Sequence, residues 1–239
     1  MGMAGKKEKI ELTERDIELL KCVAKFRIVP LNNARMFYDN AKTYHLKRLQ
    51  KLREHKYLVK EGTGVKLGAK GAEYLKTIGI DTKPLRTSKP RVKERIKEIA
   101  RTMIRPRVWE VFIPAWEIKG QKGEINRKNA MWGAVDGVAI YRLPRTVKKS
   151  GIATYVDDIK DACSNGFERI LVLYSPDPQY RKIYDEFVEK PLKGPKSMYM
   201  IPLNDRGLEL MEVILFEDRN RWVKGVLDEI YGAGKYTLV

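Results

Sequence analysis

The chain has 239 residues, 43% of them hydrophobic and 33% charged, which is enough for one large domain or two small ones with separate cores. A formal charge of +17 points to a polyanion or an anionic membrane as partner, and the surplus is concentrated early, with 25 Lys and Arg against 12 Asp and Glu in residues 1–100 and 23 against 19 afterwards. No apolar run approaches the roughly 18 residues that a bilayer span needs, and Met1-Gly2-Met3-Ala4-Gly5-Lys6-Lys7 lacks a signal peptide's apolar stretch, so a cytoplasmic protein without membrane contact is expected.

In chain order, Thr13-Glu14-Arg15-Asp16 opens a first helix with a capping residue and an acid at the capping-box position, followed by Ile17, Leu20, Val23 and Ala24 at helical spacing. Pro30 closes the next segment. Residues 31–38 suggest a short second helix with Leu31, Ala34, Met36 and Phe37 inward, and Asp39-Asn40 a turn. The third helix, expected over residues 40–56, carries Leu46, Leu49 and Leu52 as its buried stripe. At about 100° per residue its opposite face gathers Thr43, Tyr44, Lys47, Lys51 and His55, with Lys42 beside them and Arg48 at the edge. A solvated helix face ordinarily mixes signs, whereas here the only acid is Glu54 at the far end; such a face suits base edges and phosphates. Residues 57–60 and 65–67 then suggest two strands about a turn at Glu61-Gly62-Thr63-Gly64, with Lys60, Thr63 and Lys66 at its tip, and a fourth helix from Ala69 turns Ala72, Leu75 and Ile78 inward.

Three helices, a hairpin and a closing helix predict a winged helix-turn-helix over residues 10–78. This stretch resembles the winged-helix repressors of the MarR type, through Leu49-Gln50-Lys51-Leu52 leading into Tyr57-Leu58-Val59 and through the closing run Leu67-Gly68-Ala69-Lys70-Gly71-Ala72-Glu73-Tyr74-Leu75, where Gly68 stands in place of the family's Thr.

Residues 79–90, with Pro84, Pro90 and no periodicity, suggest a linker between this domain and a second over residues 91–239. The second opens with a basic amphipathic helix bearing Val92, Ile96, Ile99 and Met103 on one side, expected to pack on the second domain or else to contact DNA or a second copy. Strands are expected at 108–114, 135–143, 169–175 and 197–202, and helices at 152–163, 179–188 and within 207–231. That order predicts a small α/β sheet, with Ile170-Leu171-Val172-Leu173-Tyr174 as its central strand. Cys22 and Cys163 lie far apart on apolar helical patterns and suggest buried structural thiols.

Order and spacing together are similar to the replication-relaxation family of Gram-positive plasmids and conjugative elements, through Leu12-Thr13-Glu14-Arg15-Asp16, Val135-Asp136-Gly137-Val138-Ala139 and the strand ending at Leu173-Tyr174. The resemblance implies an α+β winged helix followed by a restriction-endonuclease-like, catalytically degenerate α/β domain. It also implies a mobile-element protein that binds duplex DNA, as a transcriptional regulator or as an accessory factor in replication, DNA relaxation or transfer, with a relaxase or replication proteins as further partners. Val135 replaces the family's proline, and no acid follows on the next strand.

Two alternatives differ in class. A Mg²⁺-dependent nuclease would need at least two carboxylates and a lysine, of which Asp136 supplies one; as a bland reading, Asp136-Gly137 is a turn. A protein adaptor would use the winged helix to grip a partner. His45 and His55, the only histidines, both fall on the third helix, which leaves the second domain no imidazole for acid-base work or metal binding. His45-Leu46-Lys47-Arg48 matches the short His-x-x-Arg pattern of tyrosine recombinases without their catalytic domain, and Gly120-Gln121-Lys122-Gly123 lacks phosphate-loop spacing. Trp109, Trp116, Trp132 and Trp222 suit core or dimer contacts better than a base-stacking platform. No cofactor or metal is expected, and a homodimer is, because two half-sites one helical turn apart multiply the specificity of a short helix.

Overall fold

The computed structural model describes residues 10–38, 43–83, 89–105, 108–118, 131–143, 158–160, 162–164, 166–175 and 197–216. It is a mixed α+β chain in two compact units, residues 1–109 and 110–239.

The first unit begins with α1 (Glu14–Phe26), whose capping box is formed as expected: Asp16 N–H donates to the Thr13 hydroxyl at 3.3 Å, and Thr13 N–H donates to Asp16 Oδ2 at 2.8 Å. Its buried face comprises Leu19, Leu20, Cys22, Val23 and Phe26, while Ile17 and Ala24 sit at its margin. β1 (Val29–Pro30) leads into α2 (Leu31–Ala34), and a 3₁₀ turn, Arg35–Phe37, tightens what was expected to be one helix, leaving Met36 exposed rather than inward. α3 (Tyr44–Glu54) is shorter than residues 40–56 and buries Leu49 and Leu52. β2 (Leu58–Glu61) and β3 (Gly64–Leu67) pair antiparallel about Gly62-Thr63, and β1 pairs with β3, giving a three-stranded sheet in the order β1-β3-β2.

α4 (Ala69–Thr77) starts against the chain that leaves α3. Lys56 occupies a left-handed conformation (φ +64°), and Tyr57 N–H turns back to Leu52 C=O at 2.9 Å, closing α3. The carbonyls of Tyr57 and Lys56 then accept from Gly68 N–H at 2.9 Å and Lys70 N–H at 3.2 Å, so a backbone carbonyl takes one N–H of the first turn of α4, which has no side-chain cap. A Cβ on Gly68 would lie 2.2 Å from the Lys56 oxygen. Position 68 therefore has no room for a side chain. Leu75 is buried, but Ile78 is exposed at the helix end.

α5 (Pro90–Met103) buries Ile96, Ile99, Ala100 and Met103 against β1 and α1. This corrects the expected boundary: the basic helix belongs to the first unit, because its apolar stripe completes that unit's core, and the division falls after Trp109 instead of within residues 79–90. Trp109 receives the Phe37 ring edge-on at 5.7 Å and lies under the Lys25 ammonium. The single turn α6 (Val108–Val111) spans the division.

In the second unit β4 (Ile113–Pro114), β5 (Met131–Val135), β6 (Val138–Arg142), β7 (Arg169–Tyr174) and β8 (Ser197–Pro202) form a sheet in sequence order. β5 runs antiparallel to both of its neighbours, β4 and β6, whereas β7 runs parallel to β6 and β8 parallel to β7. The strand expected over 108–114 is thus mostly the helical turn α6, and that expected over 135–143 begins instead with a hairpin turn at Asp136-Gly137. Residues 158–160 and 162–164 are helical and put Ile159 and Ala162 on a cluster with Ala139, Tyr141, Ile170 and Val172. α7 (Asp205–Phe216) packs on β8. Trp116 and Trp132 are buried, as core aromatics should be, and Trp222 lies outside the described residues. The segments expected as a helix at 179–188 and as the later part of 207–231 also lie outside them.

Cys22 is buried and Cys163 half-buried; neither forms a disulfide, and desolvation raises the pKa of both thiols. Among the described residues, no helix is long and apolar enough to cross a membrane.

Candidate nucleic-acid interface

The residues expected to face a nucleic acid fall into three groups. Thr43, Tyr44, Lys47 and Lys51 are exposed along one side of α3, opposite Leu49 and Leu52. Tyr44, 46% exposed, rests its ring against Tyr38 at 6.1 Å in an edge-on contact, which limits where the phenol can point. Lys42 lies outside the described residues.

Arg48 forms the second group by itself, and its expected role needs correcting. Its guanidinium turns inward to Asp16, which is fully buried, and donates to both carboxylate oxygens, with Nε 3.0 Å from each and Nη2 closing on Oδ2 and on the Glu11 carbonyl. Tyr38 adds its hydroxyl to Asp16 Oδ1 at 2.7 Å. One carboxylate therefore ties α1, the end of the 3₁₀ turn and α3 together. Burial by itself would raise the Asp16 pKa, but the hydrogen bonds from Arg48, Thr13 and Tyr38 outweigh it and hold the carboxyl below its ordinary value. Arg48 is raised in turn, first through its bond to Asp16. A side chain 13% exposed and held by Asp16 and the Glu11 carbonyl fixes the roll of α3 and offers little to a groove.

The hairpin forms the third group. Cross-strand register pairs Val59 with Lys66 and Lys60 with Val65, so Lys60 and Lys66 project from opposite faces of the ribbon and cannot close on one phosphate together. Lys60 is exposed, whereas Lys66 is held by Glu61 at 2.7 Å. Glu61 also takes Lys93 of α5 at 2.6 Å, and these two ammonium groups, Lys66 first, hold its carboxyl down at about 2. The Thr63 hydroxyl accepts from the buried Lys97 of α5 at 3.2 Å, and Thr63 C=O accepts from Leu31 N–H at 3.1 Å. The hairpin is therefore braced by α5.

No family model matches the chain, and comparison with curated proteins and with solved structures finds no match.

Sequence reasoning misplaced Leu46 and passed over Gln50. Leu46 is 52% exposed, beside Gln50 and away from the core. Three leucines at a constant spacing of three sweep about 120° around a helix, so a core that takes Leu49 and Leu52 releases Leu46. The sequence contained that signal in the angle. His45 and His55 are half-buried on the side nearer the core.

Asp136 lies at the tip of the β5–β6 hairpin, exposed, with φ +45° followed by Gly137 at +78°. Two successive positive φ values are what a two-residue type I′ turn requires, and an Asp-Gly pair supplies them at low cost. No Asp or Glu lies on any of the five strands, and among the described residues no cluster of metal-ligating side chains occurs.

Proposed function

We propose that the first unit is a winged helix that binds duplex DNA, with α3 in the major groove and the β2–β3 hairpin as its wing. The observation that carries this reading is the exposed side of α3. Tyr44, Lys47 and Lys51 stand clear of the core, while Leu49, Leu52 and the Arg48–Asp16 pair lock the opposite side, so a cationic ridge is presented in one fixed orientation. The net surplus of positive charge in residues 1–100 supports the same partner, since each neutralised phosphate releases condensed counterions. The contacting residues are then Thr43, Tyr44, Lys47 and Lys51 on the helix and Lys60 on the wing. Lys66 and Thr63 hold the wing's shape.

For the second unit we propose a nuclease-like fold without cleavage activity. An antiparallel meander β4–β6 running into parallel β7 supports the fold, and strands without carboxylates, with Asp136 on a hairpin tip, support the lack of catalysis. Regulation of transcription, or service at an origin of replication or transfer in a mobile element, is the use we propose for such a protein, acting as a homodimer on paired half-sites.

Lys47→Ala combined with Lys51→Ala is expected to lower affinity at least tenfold in gel-shift titrations while leaving the circular dichroism spectrum unchanged. Two lost phosphate contacts should also flatten the slope of log K against log salt by about 1.8. Unchanged binding would remove α3 from the interface. Failure of the wild-type chain to bind any duplex or heparin would favour the protein-adaptor reading.

A further inference from the structure

Leu46, Gln50 and Glu54 follow one another at i, i+4 and i+8, forming a ridge on the exposed side of α3, and Lys47 and Lys51 form a second ridge next to it. One exposed leucine is ordinary on any protein surface. Here, however, it stands at the head of a ridge whose next member has its amide pre-set: Gln50 Nε2 donates to Glu54 Oε1 at 2.8 Å. One N–H of the amide is thereby used, and this exposed side chain keeps a second N–H and a carbonyl oxygen for a ligand. Adenine offers the complement of that pair in the major groove, an acceptor at N7 and a donor at N6, and a thymine offers a methyl group to an apolar side chain.

We propose that Leu46 and Gln50 read A·T pairs in the major groove, Gln50 bonding adenine N7 and N6 and Leu46 packing on a thymine methyl. Lys47 and Lys51 hold the flanking phosphates, and Glu54 is a positioning residue that orients the Gln50 amide. This rests on the DNA-binding reading above and adds the base chemistry that it recognises. Charge separation along the helix supports the division of labour: the ridge assigned to the bases carries no cation, and the ridge assigned to phosphates carries nothing else charged.

The test is selection from a random duplex pool with the full-length chain, followed by base analogues in the selected site. The selected site should contain a fixed A·T position. Replacing its thymine with uracil, which lacks the methyl group, should weaken wild-type binding about three- to fourfold, and 7-deazaadenine should weaken it about tenfold. Leu46→Ala should become indifferent to uracil and Gln50→Ala indifferent to 7-deazaadenine, each keeping the wild-type salt dependence. If the wild-type chain selects a site but neither analogue alters affinity, the base-reading assignment falls and DNA binding stands. If it selects no site and binds no duplex, both fall. The analogue measurements use the unmodified protein, so they do not depend on how any variant folds.

Discussion

A carboxylate at 0% exposure can stay ionised only where its environment replaces the water it has lost, and Asp16 is supplied from three elements at once by Arg48, Thr13 and Tyr38. Removing it leaves a guanidinium and a phenol facing a low-dielectric interior, so Asp16→Ala should cost about 3–5 kcal/mol at neutral pH. The folded carboxyl lies below its unfolded value near 3.8, so its contribution is complete above that pH and is lost as pH falls through the depressed folded value. Thermal unfolding followed from pH 7 to pH 2 should therefore show wild type and Asp16→Ala far apart at neutrality and converging in acid; a gap independent of pH would contradict the assignment. Residues of this kind are only half legible in sequence. Asp16 was visible as a cap because capping is local, but its bond to Arg48 spans 32 positions, and nothing in the α3 segment distinguishes an arginine that turns inward from one that faces a ligand.

Secondary elements came through best where the signal lies within one segment. α1 begins at its expected cap, the β2–β3 hairpin closes about its glycine turn, and β8 spans its expected residues. Errors arose where neighbours decide: β5, buried at every position, shows no alternation to detect, and the short α6 replaces a strand because β-branched composition alone does not fix local geometry. The start of α4 shows how tightly elements can constrain one another. Gly68 touches the backbone at Lys56 so closely that Gly68→Ala should cost about 1–3 kcal/mol, seen as a lower urea midpoint with an unchanged slope. Equal stability would mean that the α3–α4 junction can open without strain.

Two units were legible from composition, but the seam between them was not. Prolines and polar residues at 79–90 look like a joint, yet the stripe of α5 that follows buries Ile96, Ile99 and Met103 in the first core. A fragment ending at residue 83 should accordingly melt without cooperativity, whereas one ending at residue 109 should unfold in a single transition by circular dichroism. Cooperative folding of the shorter fragment would restore the earlier boundary. The inward pairing of Arg48 has a practical consequence for the molecule as a whole. Since the grip that sets the angle of α3 lies on its hidden side, positions 46, 47, 50 and 51 are free to vary without disturbing the scaffold, and a library randomised at those four sites offers a route to retargeting the chain.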